Sequence, residues 1–439
     1  MDAMSTAVSG WPRRTFGRLI PPTPLSRRLA SRAVLFTLGQ GAFNTGSAVF
    51  FTQVVGLSPA EVGLGLTIGG ITSFVVAYPM GRLADRIGPK RMWALGGLCG
   101  GLLFGAWPFI HGLLAYCLLV IGFQVMENAA DAGRNAYQLD IMPQEERVQT
   151  QAYLYSAINV GYTLGAILGG ITLAFNSETA IRYMPWFTMA ILVYNAWSIW
   201  GMPDAEHDTH AVRGTRVRPA GPGPLANRGW MALSFFDGMM WTNQVLLNIV
   251  IPLWLVHSTD SPHWLLAWLF GTNTVLCIFL PTFTSRGVHS VSDAIPRVWI
   301  ATAFFVLSCL ITMVTHTTTG FLTIFLVWLG HVTVTGCELA ISSASFAFSA
   351  LLMDPARRGE YGGVQELFRA LGSRWAPAVF TLLAMQWHPN GLPSAGWLVI
   401  AAFPVIAALG IGPAARSAER FLEQTAAASA EPVTAVAPA

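Results

Sequence analysis

The sequence predicts an all-α polytopic membrane protein in which twelve transmembrane helices form two pseudo-symmetric six-helix bundles. Composition is the first of three observations behind that fold class. Of 439 residues, 53% are hydrophobic and only 11% charged, against about a quarter charged in soluble domains, so too little polar surface exists to coat a soluble particle. Second, apolar stretches recur along the whole length, each long enough to cross about 30 Å of hydrocarbon. Third, one segment rich in Pro, Gly and charge, residues 203–228, divides these stretches into two sets of six.

Apolar runs bounded by Gly, Pro and charge place the first six helices at 32–56, 61–80, 92–110, 113–139, 148–175 and 182–202. The second six fall at 229–256, 263–283, 296–316, 319–350, 360–386 and 391–412. The predicted domains are therefore an N-terminal segment 1–31, a bundle 32–202, the linker 203–228, a second bundle 229–412 and a tail 413–439. An even number of spans puts both termini on one side. All but four of the 25 lysines and arginines lie in segments on that side, the exceptions being Arg134, Arg182, Arg369 and Arg374. The positive-inside rule makes it the cytoplasmic side of the cell (inner) membrane.

Arg13, Arg14, Arg18, Arg27 and Arg28 precede the first span, whose apolar run is too long for a signal peptide and reads as a retained anchor. The tail from Pro413 is alanine-rich and is expected to be mobile, with a short surface helix around Arg416–Gln424. The five cysteines, Cys99, Cys117, Cys277, Cys309 and Cys337, sit in apolar stretches without disulfide or zinc spacing, so no metal site is expected. A weak internal repeat supports the two halves. A shift of 211 residues superposes Glu127 on Glu338, Met142 on Met353, Arg147 on Arg358 and Gly161 on Gly372, in register with the spans.

Between the second and third helices the chain reads Gly81-Arg82-Leu83-Ala84-Asp85-Arg86-Ile87-Gly88-Pro89-Lys90-Arg91. Gly81 and Gly88 permit tight turning and close helix approach. Asp85 can accept backbone N–H groups at a helix N-terminus and pair with a cation, while Arg86 and its basic neighbours hold the connection at the cytoplasmic face. This stretch resembles the loop signature of the major facilitator superfamily (MFS), G-x-L-a-D-r-x-G-r-k, with Pro89 in place of a basic residue and Trp93 in place of a small aliphatic one. The resemblance implies transmembrane transport by alternating access of two rocking halves. The corresponding second-half segment, Thr284–Ser290, lacks the acidic member.

Helix 5 carries Gly161, Gly165, Gly169 and Gly170 in a run that resembles the antiporter signature of drug:proton exporters, with Ala166 where the kinking proline stands. The same small residues also suit plain helix packing without any direction of transport.

Helix 4 places Gln124, Glu127, Asp131, Arg134 and Gln138 three and four apart, on one stripe. A charge near the bilayer centre costs at least about 2.5 kcal/mol on insertion scales, so this stripe faces a cavity or a neighbouring helix. Asp131 and Arg134 either form a neutralised structural pair or contact substrate. Glu127 and Glu338 are the leading candidates for the coupling proton, Glu127 before Glu338, with Asp131 and Asp237 behind them. Asp237 is either a gate residue or a solvated cap. Helix 11 holds Glu366, Arg369 and Arg374; Arg374 is expected to be the deepest and either contacts an anionic substrate or neutralises an acid on another helix, and Arg369 is a further charge-pair or gating candidate. Gln40, Asn44, Gln124, Tyr155, Asn159, Asn243 and His331, with Tyr162, are candidates for a polar lining in an aromatic cavity.

No phosphate-cradling loop is present to bind ATP, so the energy source is expected to be a proton gradient, without a cofactor. Efflux of a small amphipathic organic molecule is the leading function. Proton-coupled uptake by the same fold is the alternative, and a membrane-embedded sensor or enzyme the third reading. No nucleophile–base arrangement stands out, so the chain is not expected to be an enzyme. The expected partners are substrate and the lipid bilayer, with no nucleic acid, for a monomer.

Overall fold

The computed structural model describes residues 21–175, 177–205, 208, 222–387 and 395–430. The expected N-terminal segment before residue 21, most of the linker, residues 388–394 and the end of the tail lie outside them. Helices make up the described chain, and no strand occurs among the described residues. The first, α1, spans Pro24–Val49 and runs on into a π-helical turn, Phe50–Val54. Then follow α2 (Pro59–Ile87), α3 (Pro89–Phe104), α4 (Gly112–Ile141), α5 (Gln144–Ala174) and α6 (Glu178–Trp200). After the linker, α7 runs Arg228–Ser258 with a π-helical turn at Leu246–Val250. It is followed by α8 (Leu265–Phe279), α9 (Val291–Val314), α10 (Phe321–Leu352), α11 (Arg358–Met385) and α12 (Ala395–Ala430).

Eight of these stretches, those of α2, α3, α4, α5, α7, α9, α10 and α12, are long and apolar enough to cross a membrane, and α8 is a shorter apolar helix. The chain is a multi-pass, lipid-embedded protein. Its α11 is less apolar because Arg358, Glu360, Glu366, Arg369 and Arg374 fall along it, and charges at membrane depth avoid lipid.

Several helices overrun the ends predicted from hydropathy. Pro24 opens α1 eight residues early because Thr23 and Ser26 form a capping box. The second helix does not stop at residue 80. It continues through Gly81–Ile87, so most of the signature stretch is helical, and the break falls at Gly88, whose φ of 106° suits glycine, with Pro89 opening α3. Residues 413–430 likewise form no separate short surface helix, since α12 runs unbroken to Ala430 through Pro404 and Pro413. Ala415 and Ala418 of this extension are buried, and the Ser417–Ala418 backbone lies against Gly229 at the start of α7.

Within the first six helices, α1 packs on α5 and α6, α2 on α4, and α3 on α4 and α6. Within the last six, α9 packs on α10 and α12, and α7 on α11 and α12. The two sets meet through α2–α11, α4–α11, α5–α8 and α5–α10. Three of the four predicted packing glycines explain the α1–α5 contact. A Cβ on Gly161, Gly165 or Gly169 would stand 2.5, 2.3 and 2.5 Å from the carbonyl oxygens of Val34, Leu38 and Ala42. Gly170 has nothing within 4 Å and takes no part.

Candidate functional site

Between the two sets of helices lies a cavity of about 500 Å³. The whole polar stripe of α4, from Gln124 through Glu127, Asp131 and Arg134 to Gln138, lines it. A helix exposes one residue every 3 or 4 positions to one side, so a single face delivers all of them. The facing wall comes from α11, with Gln365, Glu366 and Arg369, while Tyr155 of α5, Trp241 of α7 and Phe346 of α10 supply aromatic surface.

Glu127 is held by amides. The Gln40 amide of α1 donates to one carboxylate oxygen at 2.9 Å and Gln124 to the other at 3.4 Å. Gln40 is buried and in turn accepts the Tyr162 hydroxyl at 3.0 Å. Arg134 pairs with Asp131 at 3.0 Å, one turn away on the same helix. On the other side Arg369 pairs with Asp237 at 2.8 Å and lies 4.5 Å from the Trp241 ring. Asp237 also accepts from Ser345 at 2.5 Å and Gln365 at 3.3 Å and is only 1% exposed, so it is not the solvated cap considered from sequence.

A second polar cluster joins α5 to α8 and α10 beside the cavity. Buried Glu338 accepts the Tyr155 hydroxyl, the Asn273 amide at 2.9 Å and the Cys277 thiol at 3.7 Å. Asn273 was not anticipated. The rule that singled out the α4 stripe, a polar side chain inside an apolar run, would have found it.

Gln40, Tyr162, Asp237 and Glu338 stand behind the lining, and five further sequence candidates also lie outside it. His331 is fully buried with neither ring nitrogen hydrogen-bonded, its ring edge-on to Phe270. Asn243 is buried against the Cys337 sulfur at 3.8 Å, between α7 and α10. Asn159 donates to the Tyr155 carbonyl of its own helix at 3.0 Å. Asn44 is exposed and outside the lining. Arg374 is exposed and outside the lining, its guanidinium lying where a Cβ on Gly70 of α2 would stand.

The cavity is closed at the end near the linker. The Gly81 and Gly359 backbones touch there, since a Cβ on either would fall 2.0 or 2.2 Å from the other's carbonyl oxygen. Asp85 accepts the Gly359 and Glu360 N–H groups at 2.7 and 2.8 Å, capping the first turn of α11. Arg82 meets Glu360 at 3.5 Å, and Arg358 pairs with Asp140 at the end of α4. Arg86 is exposed at this end. The Asp140–Arg358 pair was missed, because nothing in sequence spacing links two residues on different helices.

Residues 29–377 match the model of the Major Facilitator Superfamily. A short segment is similar to Multidrug resistance protein 2 of Bacillus subtilis (strain 168), 27% identical over 150 residues, which is 33% of this chain and 36% of that relative's length. The fold is similar to the crystal structure of the MFS transporter FucP in the outward conformation, with a TM-score of 0.68 and 14% identity over 89% of this chain and 98% of that one. It is also similar to the MFS proton:xylose symporter XylE bound to 6-bromo-6-deoxy-D-glucose, with a TM-score of 0.65 and 13% identity over 88% and 94% of the two chains. With most of its length matched, the chain belongs to the Major Facilitator Superfamily, and it is a secondary-active transporter that works by alternating access, not an enzyme.

Proposed function

We propose that the chain moves a small amphipathic organic molecule through the central cavity and couples that movement to protons, with Glu127 as the coupling residue. One observation carries the reading. Glu127 is a carboxyl at the middle of a membrane-spanning helix whose hydrogen-bond partners are the amides of Gln40 and Gln124, while Asp131 on the same stripe is already matched by Arg134. An acid held by amides can gain and lose a proton without breaking an ion pair. The proposal extends to twelve spans in two six-helix bundles, with both termini and the closed end of the cavity on the cytoplasmic side, where the basic residues gather.

Two directions share this chemistry. Efflux is supported by the short similarity to a multidrug resistance protein. The α5 glycines do not add to that case, since three of them are accounted for by contact with α1, and uptake is the better supported of the two, because the fold shared with a proton:xylose symporter extends over 88% of this chain against 33% for the multidrug resistance protein. Growth of cells expressing the chain against a panel of toxic amphiphiles, with and without an uncoupler, separates the two. Protection that the uncoupler abolishes supports efflux, and uncoupler-sensitive accumulation supports uptake. Transport indifferent to the uncoupler would rule out proton coupling.

A further inference from the structure

The charges around the cavity do not balance. Arginines reach it from α4 and α11, and each is matched to one aspartate: Arg134 to Asp131, Arg358 to Asp140 and Arg369 to Asp237. On α2, Asp85 is engaged by the first turn of α11. Among the lining residues two carboxyls remain, Glu127 on the α4 wall and Glu366 on the α11 wall, while Glu338 lies behind the lining, held by Tyr155, Asn273 and Cys277. Arg374, further along α11, lies against Gly70 and is not among the lining residues.

We propose that the transported molecule carries a positive charge, an ammonium, guanidinium or quaternary centre, and that Glu366 receives it across the cavity from Glu127. This rests on the reading of the cavity as the substrate site. The two glutamates differ in a way that divides the roles. Glu127 is wrapped by two amide donors. Glu366 is exposed to the cavity and makes no hydrogen bond or ion pair among the described residues, so its carboxylate is open to a ligand. With both ionised, the cavity becomes neutral only when two positive charges enter. A proton on Glu127 is one, and the substrate's charge at Glu366 is the other. The body of an amphipathic cation meets Tyr155, Trp241 and Phe346, an aromatic surface of the kind that lines small-molecule sites. An anion is disfavoured because the charge of each arginine at the cavity is already matched by an aspartate, so an anion would add a further uncompensated negative charge beside Glu127 and Glu366.

The test is equilibrium binding of radiolabelled tetraphenylphosphonium to the purified full chain in lipid nanodiscs, without any gradient, with tetraphenylborate as the anion of the same shape. The wild type is expected to bind the cation saturably, without competition from tetraphenylborate. Glu366→Gln should weaken binding at least tenfold while Glu366→Asp, which keeps the charge, restores most of it, so a folding defect is not mistaken for a lost contact. No saturable binding by the wild type, equal affinity in Glu366→Gln, or displacement by tetraphenylborate would overturn the proposal. Because no proton gradient enters the assay, failure of proton coupling in flux measurements leaves this result standing, and the two readings fail separately.

Discussion

At the scale of single residues, the pairing of Asp131 with Arg134 matters because both side chains face the cavity. Removing Arg134 alone leaves a third unmatched carboxylate beside Glu127, whereas removing both partners does not. Arg134→Ala is therefore expected to lower transport more than the double change Asp131→Ala with Arg134→Ala. Asp131 is 41% exposed, so the excess loss is only about 1 kcal/mol, close to fivefold in rate, after discounting for solvent screening. A double-mutant cycle on transport rates checks it, and additive losses would show that the two residues act separately.

The same exchange of one partner for another explains which residues the sequence revealed. The α4 stripe was legible because a helix repeats every 3.6 residues and lipid rejects its charges. His331 satisfied the same rule by position, yet it packs under Phe270, since a polar residue on the inward face of a helix can meet apolar neighbours as well as a cavity. Asp237 looked like a cap by its distance from the helix end, and only the fold brings Arg369 to it, 132 residues away.

At the scale of elements, α5 shows how close packing constrains sequence. Gly165 faces the α1 backbone so tightly that Gly165→Val should force the helices apart and cost roughly 1–3 kcal/mol, read as a lower melting temperature in detergent. Gly170→Val, five positions along the run and facing open space, should stay within about 0.5 kcal/mol of wild type. Equal losses at both positions would show that the run acts through backbone freedom and not through contact. The small-residue pattern was visible in sequence, but its facing was not, because adjacent positions on a helix point about 100° apart. Helix ends were misjudged for a related reason. Hydropathy marks where a helix leaves the hydrocarbon, and the 32 residues of α10 rise about 48 Å, well beyond the roughly 30 Å core.

A link between elements also sets a measurable bias. Tyr155 of α5 donates to Glu338 of α10, on the other set of helices. A hydrogen bond to a charged acceptor contributes about 1.5–3 kcal/mol, so Tyr155→Phe should shift the distribution between cavity-closed and cavity-open arrangements by at least about tenfold. Distances between spin labels at the linker end would record the shift, and an unchanged distribution would show that the bond is kept in both arrangements.

At the scale of the whole molecule, the two sets of helices are held together at the linker end by Asp85, Gly81 and Arg358. Asp85 was legible in the signature stretch, but its partners lie 274 and 275 residues further on, and no local pattern connects them. Asp85→Asn keeps the size while weakening the cap on α11, and it should slow transport roughly tenfold without preventing membrane insertion, given about 1.5–3 kcal/mol for a charged acceptor. Normal insertion with unchanged rates would show that the cap does not set the closed state. Closure at this end matters only if the cavity above it carries a substrate coupled to protons, and Glu127 is where that coupling is assigned. The most direct measurement is substrate flux in proteoliposomes under an imposed pH gradient, comparing wild type with Glu127→Gln, which keeps the size and one accepted hydrogen bond but removes the titration. The expected result is that Glu127→Gln retains binding and downhill exchange, loses gradient-driven accumulation, and shows a flattened pH dependence. Undiminished uphill transport by Glu127→Gln would contradict the assignment and move the coupling proton to Glu338, Asp131 or Asp237.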